Sequence, residues 1–295
     1  MDEKGRLYME SVKITVLVDN TTHYEGPILA ENGLSLLIEA KKEDFFIRIL
    51  FDAGLTGNSL IENSRNLKID LSSIDMIVIS HNHYDHTGGL LKVLEEINKP
   101  LPIIIHPDAL KQKYAILPSL RIKKLTYTGP PFPWEKVLDK GGMILPSRTP
   151  LNIAENIVVT GEIPRLTEFE SVEGFYVVEN GDLKRDLLLD DQALLLKMRN
   201  GLIVITGCGH SGIINTLRWG MKITDSQNVR AIVGGFHLIS ASSERIKKTV
   251  YELKKFEPEI VIPMHCTGFK AKKEIAEALP TAFKELYCGD SIEIT

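Results

Sequence analysis

Ser80-His81-Asn82-His83-Tyr84-Asp85-His86-Thr87-Gly88-Gly89 holds four potential metal ligands, His81, His83, Asp85 and His86, within six residues. The stretch follows an apolar, β-branched run at 76–79 and precedes a segment with apolar residues at 90, 91, 94 and 97. That pattern places it on a strand-to-helix loop. Neutral imidazole and carboxylate are ligands that zinc, iron and manganese accept. Two imidazoles two positions apart can converge on one ion, and Asp85 with His86 at the next turn can hold a second. Ions roughly 3.5–4 Å apart can clamp the attacking and leaving oxygens of a displacement. Gly88 and Gly89 let the backbone pass close to such a site and begin the helix. The bland alternative, four solvated loop residues, gives no reason for this density of ligand side chains.

Outward from this loop, short β-branched runs recur at 14–18, 34–39, 45–51, 76–80, 102–106, 156–160, 192–198, 201–206, 230–233 and 259–263. Several are apolar without alternation, as in strands covered on both faces. Residues 88–98, 211–219, 242–256 and 271–279 read as helices. The order predicts an α/β chain with two central sheets and helices outside. Residues 114–150 differ: they contain six of the fourteen prolines, with Tyr114, Tyr127, Phe132 and Trp134. Such a segment reads either as a surface excursion packing its own aromatics or as a lid or wall over a substrate. No linker divides the chain, so we expect one domain over 1–295 with an insertion at about 114–150.

Hydrophobic residues make up 43% and charged residues 25% of the 295, which excludes disorder as the main state. With 35 Lys+Arg against 39 Asp+Glu the net charge is −4, so no concentrated basic face for nucleic acid is expected. No run approaches the roughly 18 apolar residues of a membrane helix. Residues 1–18 begin with charges, and their short apolar run is interrupted by Lys13, unlike a secretory leader. Cys208, Cys266 and Cys288 are odd in number and far apart, unlike a disulfide framework. The expected location is cytoplasmic.

The His-x-His-x-Asp-His arrangement at 81–86 resembles the signature of the metallo-β-lactamase-fold superfamily, and Leu50-Phe51-Asp52-Ala53-Gly54 resembles its upstream Asp motif. The resemblance implies a four-layer αββα sandwich with a dinuclear site at one edge of the two sheets. His265, in Met264-His265-Cys266-Thr267-Gly268, matches the superfamily's last ligand motif. His210, in Gly207-Cys208-Gly209-His210, is the other later ligand candidate, while His237, after Gly234-Gly235-Phe236, reads as a catalytic or substrate-facing group. The chain departs from the common pattern in two places. Thr160-Gly161-Glu162 stands where a Gly-His-Thr-type motif is usual, and Gly207-Cys208 where the bridging Asp is usual. Glu162 or Cys208 therefore becomes a possible additional or bridging ligand, or His210 substitutes. Cys208 also reads simply as a small residue in a tight turn.

Val16-Leu17-Val18-Asp19-Asn20, Gly161-Glu162-Ile163-Pro164-Arg165, Gly207-Cys208-Gly209-His210 and Gly235-Phe236-His237-Leu238 make the chain similar to one subgroup, the 7,8-dihydropterin-6-methyl-4-(β-D-ribofuranosyl)aminobenzene-5′-phosphate synthase-like proteins. Asn20 then becomes a substrate-binding candidate in a polar loop, with Asp19 and His23 beside it, although Asp-Asn also commonly ends a strand. His106 reads as structural. The resemblance implies two divalent ions, zinc first, with Mn, Fe or Mg as alternatives, and a small anionic substrate rather than nucleic acid or membrane. Oligomeric state is left open. Two reactions follow. In the first, a hydrolase, water activated at the metals attacks a phosphoester, ester or lactone; Asp85 orients the nucleophile and His237 donates a proton. In the second, a transferase of pterin biosynthesis, the metals bind a pyrophosphate leaving group and a carbon nucleophile replaces water.

Overall fold

β-Branched runs that lack polar alternation need cover on both faces, and the chain supplies it by stacking two sheets between two helical layers. The computed structural model describes residues 8–295; the charged start at 1–7, read above for a leader, lies outside them. One sheet contains β1 (Ser11–Val18), β2 (Ser35–Lys42), β3 (Phe45–Phe51), β4 (Met76–Val78), β5 (Leu101–Ile105), β8 (Gly142–Pro146) and β17 (Ser291–Ile294), in the spatial order β17-β1-β2-β3-β4-β5-β8. The other contains β9 (Leu151–Ala154), β10 (Ile157–Val159), β13 (Ala193–Met198), β14 (Gly201–Thr206), β15 (Val229–Gly235) and β16 (Ile260–Met264), in the order β16-β15-β14-β13-β10-β9.

Each sheet is half antiparallel and half parallel. β17, β1, β2 and β3 pair antiparallel, whereas β3, β4, β5 and β8 pair parallel. In the second sheet β9, β10, β13 and β14 pair antiparallel and β14, β15 and β16 parallel. Parallel neighbours need crossovers. These are supplied by α1 (Asn58–Asn66), α3 (Leu90–Ile97) and α4 (Glu135–Asp139) on the first sheet, and by α5 (Ile213–Thr224) and α6 (Ser243–Lys254) on the second. α7 (Phe269–Ala278) follows β16, and the single turn α2 (Tyr84–Thr87) follows the ligand loop.

Side-chain alternation sorts the core into three layers. Ile104 of β5 and Ile203 and Ile205 of β14 meet between the sheets. Ile103 and Ile105 face the α1 and α3 side, and Leu202 and Val204 face α5, α6 and α7. The result is the αββα sandwich. The ten strands and four helices anticipated from the sequence are all formed. α1 was not anticipated because it buries Ser59, Asn63 and Ser64 with only Leu60 as a fully buried apolar residue. The Asn63 amide instead donates to the Leu17 and Leu29 carbonyls.

A third sheet, also unanticipated, has the order β12-β11-β6-β7: β6 (Lys113–Leu117), β7 (Ile122–Tyr127), β11 (Phe175–Glu179) and β12 (Asp182–Arg185). β7 and β12 are largely exposed and rich in charge, so they carry little apolar signal. The 114–150 segment thus divides. Its first part builds β6 and β7, while α4 and β8 return to the first sheet, and Phe132 and Trp134 pack on that sheet's helical side. Among the described residues no helix is long and apolar enough to cross a membrane.

Leu196 is fully buried between the two sheets. Leu196→Ala is expected to lower the unfolding free energy by about 2–5 kcal/mol, read as a lower urea midpoint at unchanged m-value.

Candidate metal centre

The parallel strands end on one edge of the sandwich, and the loops that leave them carry the candidate residues: Asp52 after β3, the 80–86 stretch after β4, Cys208 and His210 after β14, His237 after β15 and His265 after β16. Crevices at the carboxyl ends of such strands are where α/β sheets place ligands. Asp52, His237 and His265 hold left-handed backbone, with φ of 61°, 47° and 47°. Asp and His tolerate that conformation better than most side chains, and its concentration here turns three loops inward.

Asp52 organises the first turn of the site. Its buried carboxylate accepts from the Ser80 amide, the Ser80 hydroxyl and His86 Nδ1, each at 2.7 Å. With its proton committed to Asp52, the Ser80 hydroxyl accepts from His81 Nδ1 at 2.9 Å. These bonds fix the proton of both imidazoles on Nδ1 and leave each Nε2 lone pair facing inward, the arrangement that outer partners give to metal-ligating histidines.

Two ligand sets result. His83 Nδ1 lies 3.0 Å from His81 Nε2 and 3.2 Å from His210 Nε2. Asp85 lies 3.3 Å from His265 Nε2 and 3.9 Å from His86 Nε2. His265 is held from behind: its amide donates to Asp19 at 2.9 Å and its Nδ1 to Asn20 Oδ1 at 2.6 Å. Cys208 Sγ sits 3.2 Å from His86 Nε2. The His210 and His237 rings approach to 4.1 Å between centroids.

The loops are braced by two adjacent buried carboxylates. Asp190 accepts from the Asn82 amide, between His81 and His83, at 3.0 Å; Asp191 accepts from the Ser211 amide, beside His210, at 2.8 Å. Lys113, buried in β6, pairs with Asp190 and with Asp186, the latter at 3.0 Å. The third sheet is thereby tied to the His81–His83 loop.

Electrostatics separate the two sets. Burial, with the neighbouring imidazoles, holds His81 and His210 well below the usual histidine range, and burial above all lowers His83 to about 3. These three rings are neutral lone-pair donors. Burial also opposes charge on His265, but the Asp85 hydrogen bond together with Cys266 and Asp19 outweighs it and raises the group to about 9. His86 is raised likewise, its burial outweighed by Asp52 and Asp85. Burial disfavours charge on Asp85 too, yet His86, His265 and His83 hold it well below the usual carboxylate range.

The donor set fits a metal. Nitrogens of three buried imidazoles converge, with His81 Nε2 and His210 Nε2 both within 3.2 Å of His83 Nδ1, and His265 Nε2 faces Asp85 at 3.3 Å, a gap that a proton or a cation can fill. The donor atoms of His81, His83 and His210, and separately those of Asp85, His86 and His265, lie within 4.8 Å of one another.

The structure therefore brings together His81, His83, Asp85, His86, His210 and His265, with Cys208, His237 and Asn20 against them. It does not bring in Glu162, which is held by Arg148 at 3.1 Å and lies 3.8 Å from His106. His106 Nδ1 accepts from the Asp108 amide and caps a short helical turn. His23, paired with Asp290, is exposed and does not line the cavity. Asp52 was visible as a motif but its supporting role was not; Cys266, Asp190, Asp191 and Phe175 were missed. Only Cys266 had a signal, its position next to His265.

A cavity of about 320 Å³ opens over the cluster. One side is polar, with Asn20, Asp85, His237 and His265; the other is an apolar wall of Leu117, Leu120, Ile122 and Phe175. Phe175 stacks on His83 at 5.3 Å.

Comparison with known proteins bears on the fold and the family. A model of the beta-lactamase superfamily domain matches residues 47–138. The chain is 36% identical over 289 residues to the 7,8-dihydropterin-6-methyl-4-(beta-D-ribofuranosyl)-aminobenzene-5′-phosphate synthase of Methanocaldococcus jannaschii, covering 97% of each chain. Among solved structures, Tm1679, a metal-dependent hydrolase of the beta-lactamase superfamily, is 30% identical with a TM-score of 0.78, covering 96% of this chain and 99% of that one. Zn(2+)-bound PqqB from Methylobacterium extorquens shares the fold at 12% identity and a TM-score of 0.56, covering 95% and 99%.

Asp52→Asn leaves an oxygen acceptor but removes the charge that orients His86, and is expected to weaken metal binding about 10–100-fold in chelator competition. In chelator-treated protein the five histidines of the two sets together favour the folded state most near pH 6.5. Below that pH the unfolded chain takes up protons that folded His81, His83 and His210 refuse, down to about 3 for His83, so stability falls with acid. Above it, folded His86 and His265 keep protons that the unfolded chain has lost, and their contribution fades as pH rises toward about 9 for His265. Denaturant midpoints across pH check both limbs.

Proposed function

We propose a metal-dependent group transfer for this chain, which belongs to the metallo-β-lactamase-fold superfamily and, within it, to the 7,8-dihydropterin-6-methyl-4-(β-D-ribofuranosyl)aminobenzene-5′-phosphate synthase-like proteins. In this reading the pterin-bearing carbon of a dihydropterin pyrophosphate is transferred to an aminobenzene ribosyl phosphate, and free pyrophosphate leaves. The observation that carries it is the 36% identity to the synthase over 97% of both chains. Residues 1–295 act as one domain, with part of the 114–150 excursion serving as cavity wall. We place the protein in the cytoplasm, with phosphorylated small molecules as its partners.

His81, His83 and His210 would hold one divalent ion and Asp85, His86 and His265 a second, zinc being the first choice. Bound there, the ions supply the positive charge that stabilises a departing phosphate oxygen. The chain supplies the rest. Leu117, Leu120, Ile122 and Phe175 offer a flat ring an apolar face and keep water from competing with the incoming nucleophile. That nucleophile is written here as the aniline nitrogen in place of the carbon expected above, since the nitrogen carries an available lone pair. As the carbon–nitrogen bond forms and the carbon–oxygen bond to pyrophosphate breaks, the nitrogen must shed a proton. His237 Nδ1 is buried without a partner within the protein, and the ring lines the cavity, which suits it to take that proton. Asn20, at the rim, orients His265 through Oδ1, and its amide, which also donates to Asn32, would meet the substrate.

Hydrolysis at the same site is the second reading, favoured by the similarity to Tm1679. Water would then replace the amine, with Asp85 orienting it.

Incubating metal-loaded protein with the dihydropterin pyrophosphate separates the two. Pyrophosphate release only when the aminobenzene is also present supports transfer; release from the pterin substrate alone supports hydrolysis; release under neither condition overturns both for this substrate. His83→Ala should lower turnover more than about 100-fold, the upper end of what loss of an outer partner costs.

A further inference from the structure

We propose that the centre is a nitrogen–sulfur site: Cys208 supplies a thiolate shared between the two ligand sets, and Cys266 a second thiolate on the His265 side. Such a site takes zinc, iron(II) or cobalt(II) in preference to magnesium or manganese(II). The inference rests on the reading that the cluster binds metal, and it adds ligands that the six-residue assignment leaves out.

Position makes the case for Cys208. Its donor atom lies within 4.8 Å of those of His81 and His86, of His210 and His237, and of His265 and Cys266. It thus reaches His81 and His210 of one set and His86 and His265 of the other. A side chain with that reach would stand between two ions, one held by each set. It is 4% exposed, so it meets the cluster rather than solvent.

Glycines on two strand ends make the room. A Cβ on Gly207 would collide with the Ser80 hydroxyl and stand 2.9 Å from the Asp52 carboxylate. Only glycine lets the end of β14 pass against that support and deliver the next residue, Cys208, into the cluster. A Cβ on Gly235 would meet Cys266 Sγ at 2.7 Å and Cys208 Cα at 3.1 Å. Its absence leaves the space the thiol pair fills. The left-handed backbone of His265 turns the chain so that two consecutive side chains, His265 and Cys266, both line the cavity. Cys266 Sγ lies 3.4 Å from the Cys208 carbonyl.

Cys288 provides the contrast. Its Sγ is satisfied by the backbone of Asp19, with the amide at 2.9 Å and the carbonyl at 3.2 Å, and it belongs to none of the ligand groups. The chemistry follows from softness. Thiolates favour zinc, iron(II) and cobalt(II), whereas magnesium and manganese(II) favour oxygen donors, and each thiol gives up its proton on binding.

Cobalt(II) reports thiolate ligation directly. Chelator-treated, reduced protein loaded with cobalt is expected to show a near-ultraviolet thiolate-to-cobalt charge-transfer band beside its visible d–d bands. Cys208→Ser should remove most of that band, Cys266→Ser should lower it, and the double variant should lose it while keeping the d–d bands. Because a variant can fail to fold, the wild type is also tested by alkylation with peptide mass mapping: zinc is expected to abolish the labelling that occurs with chelator at Cys266, the more exposed of the pair. Bound cobalt with d–d bands but no charge-transfer band, or Cys266 labelled equally with and without zinc, overturns the thiolate assignment and leaves the histidine site standing. Protein that binds no cobalt overturns the metal reading itself.

Discussion

A carboxylate buried at the end of a strand cannot stay charged without donors, and Asp52 finds three: the Ser80 amide, the Ser80 hydroxyl and His86. Removing any of them would leave a buried oxygen short of a donor, a cost of about 1–3 kcal/mol in general. The same bonds decide which nitrogen of His81 and His86 carries the proton. One requirement of electrostatic satisfaction therefore sets the path of the β4 loop, the spacing of β3 from it, and the direction of two lone pairs. The glycine at 207 belongs to this constraint, since the second sheet reaches the cluster only by passing against the Ser80–Asp52 pair.

The two sheets contribute alike. Each turns from antiparallel to parallel pairing partway across, and each parallel half ends on the same edge. Antiparallel hairpins would have returned the chain at alternating edges; helical crossovers return every parallel strand in one direction. Residues as distant in sequence as Asp52, His86, Cys208 and His265 meet because the crossovers α1, α3, α5 and α6 make their strands point the same way. Neutral imidazoles from one group of loops and a carboxylate-paired imidazole from another then give two ligand sets of different proton affinity side by side.

Much of this was legible in the chain. The density of ligand side chains at 81–86 and the unalternated apolar runs of β4, β5, β14, β15 and β16 are local properties, and they marked both the site and the central layers. What was hidden depends on long-range pairing. Glu162 follows a strand end in a glycine turn, as a ligand would, but Arg148 takes it, and no local pattern announces that ion pair. Asp190 and Asp191 look like solvated charges until the amides they accept from are known. α1 hides its burial behind Asn63 and two serines. The third sheet exposes most of β7 and all of β12, so its strands lack the apolar runs that betray the others.

Lys113 gives that third sheet a meaning beyond its size. The strand that carries this buried cation also carries Leu117 on the cavity wall, and it pairs with the strand that carries Phe175. Through Asp190, Lys113 grips the amide between His81 and His83. The surface against which a substrate ring would rest and the loop that would grip an ion are thus parts of one lever. Any descendant of this protein that reshapes the wall for a different molecule inherits a constraint: it must move the wall without letting go of the loop.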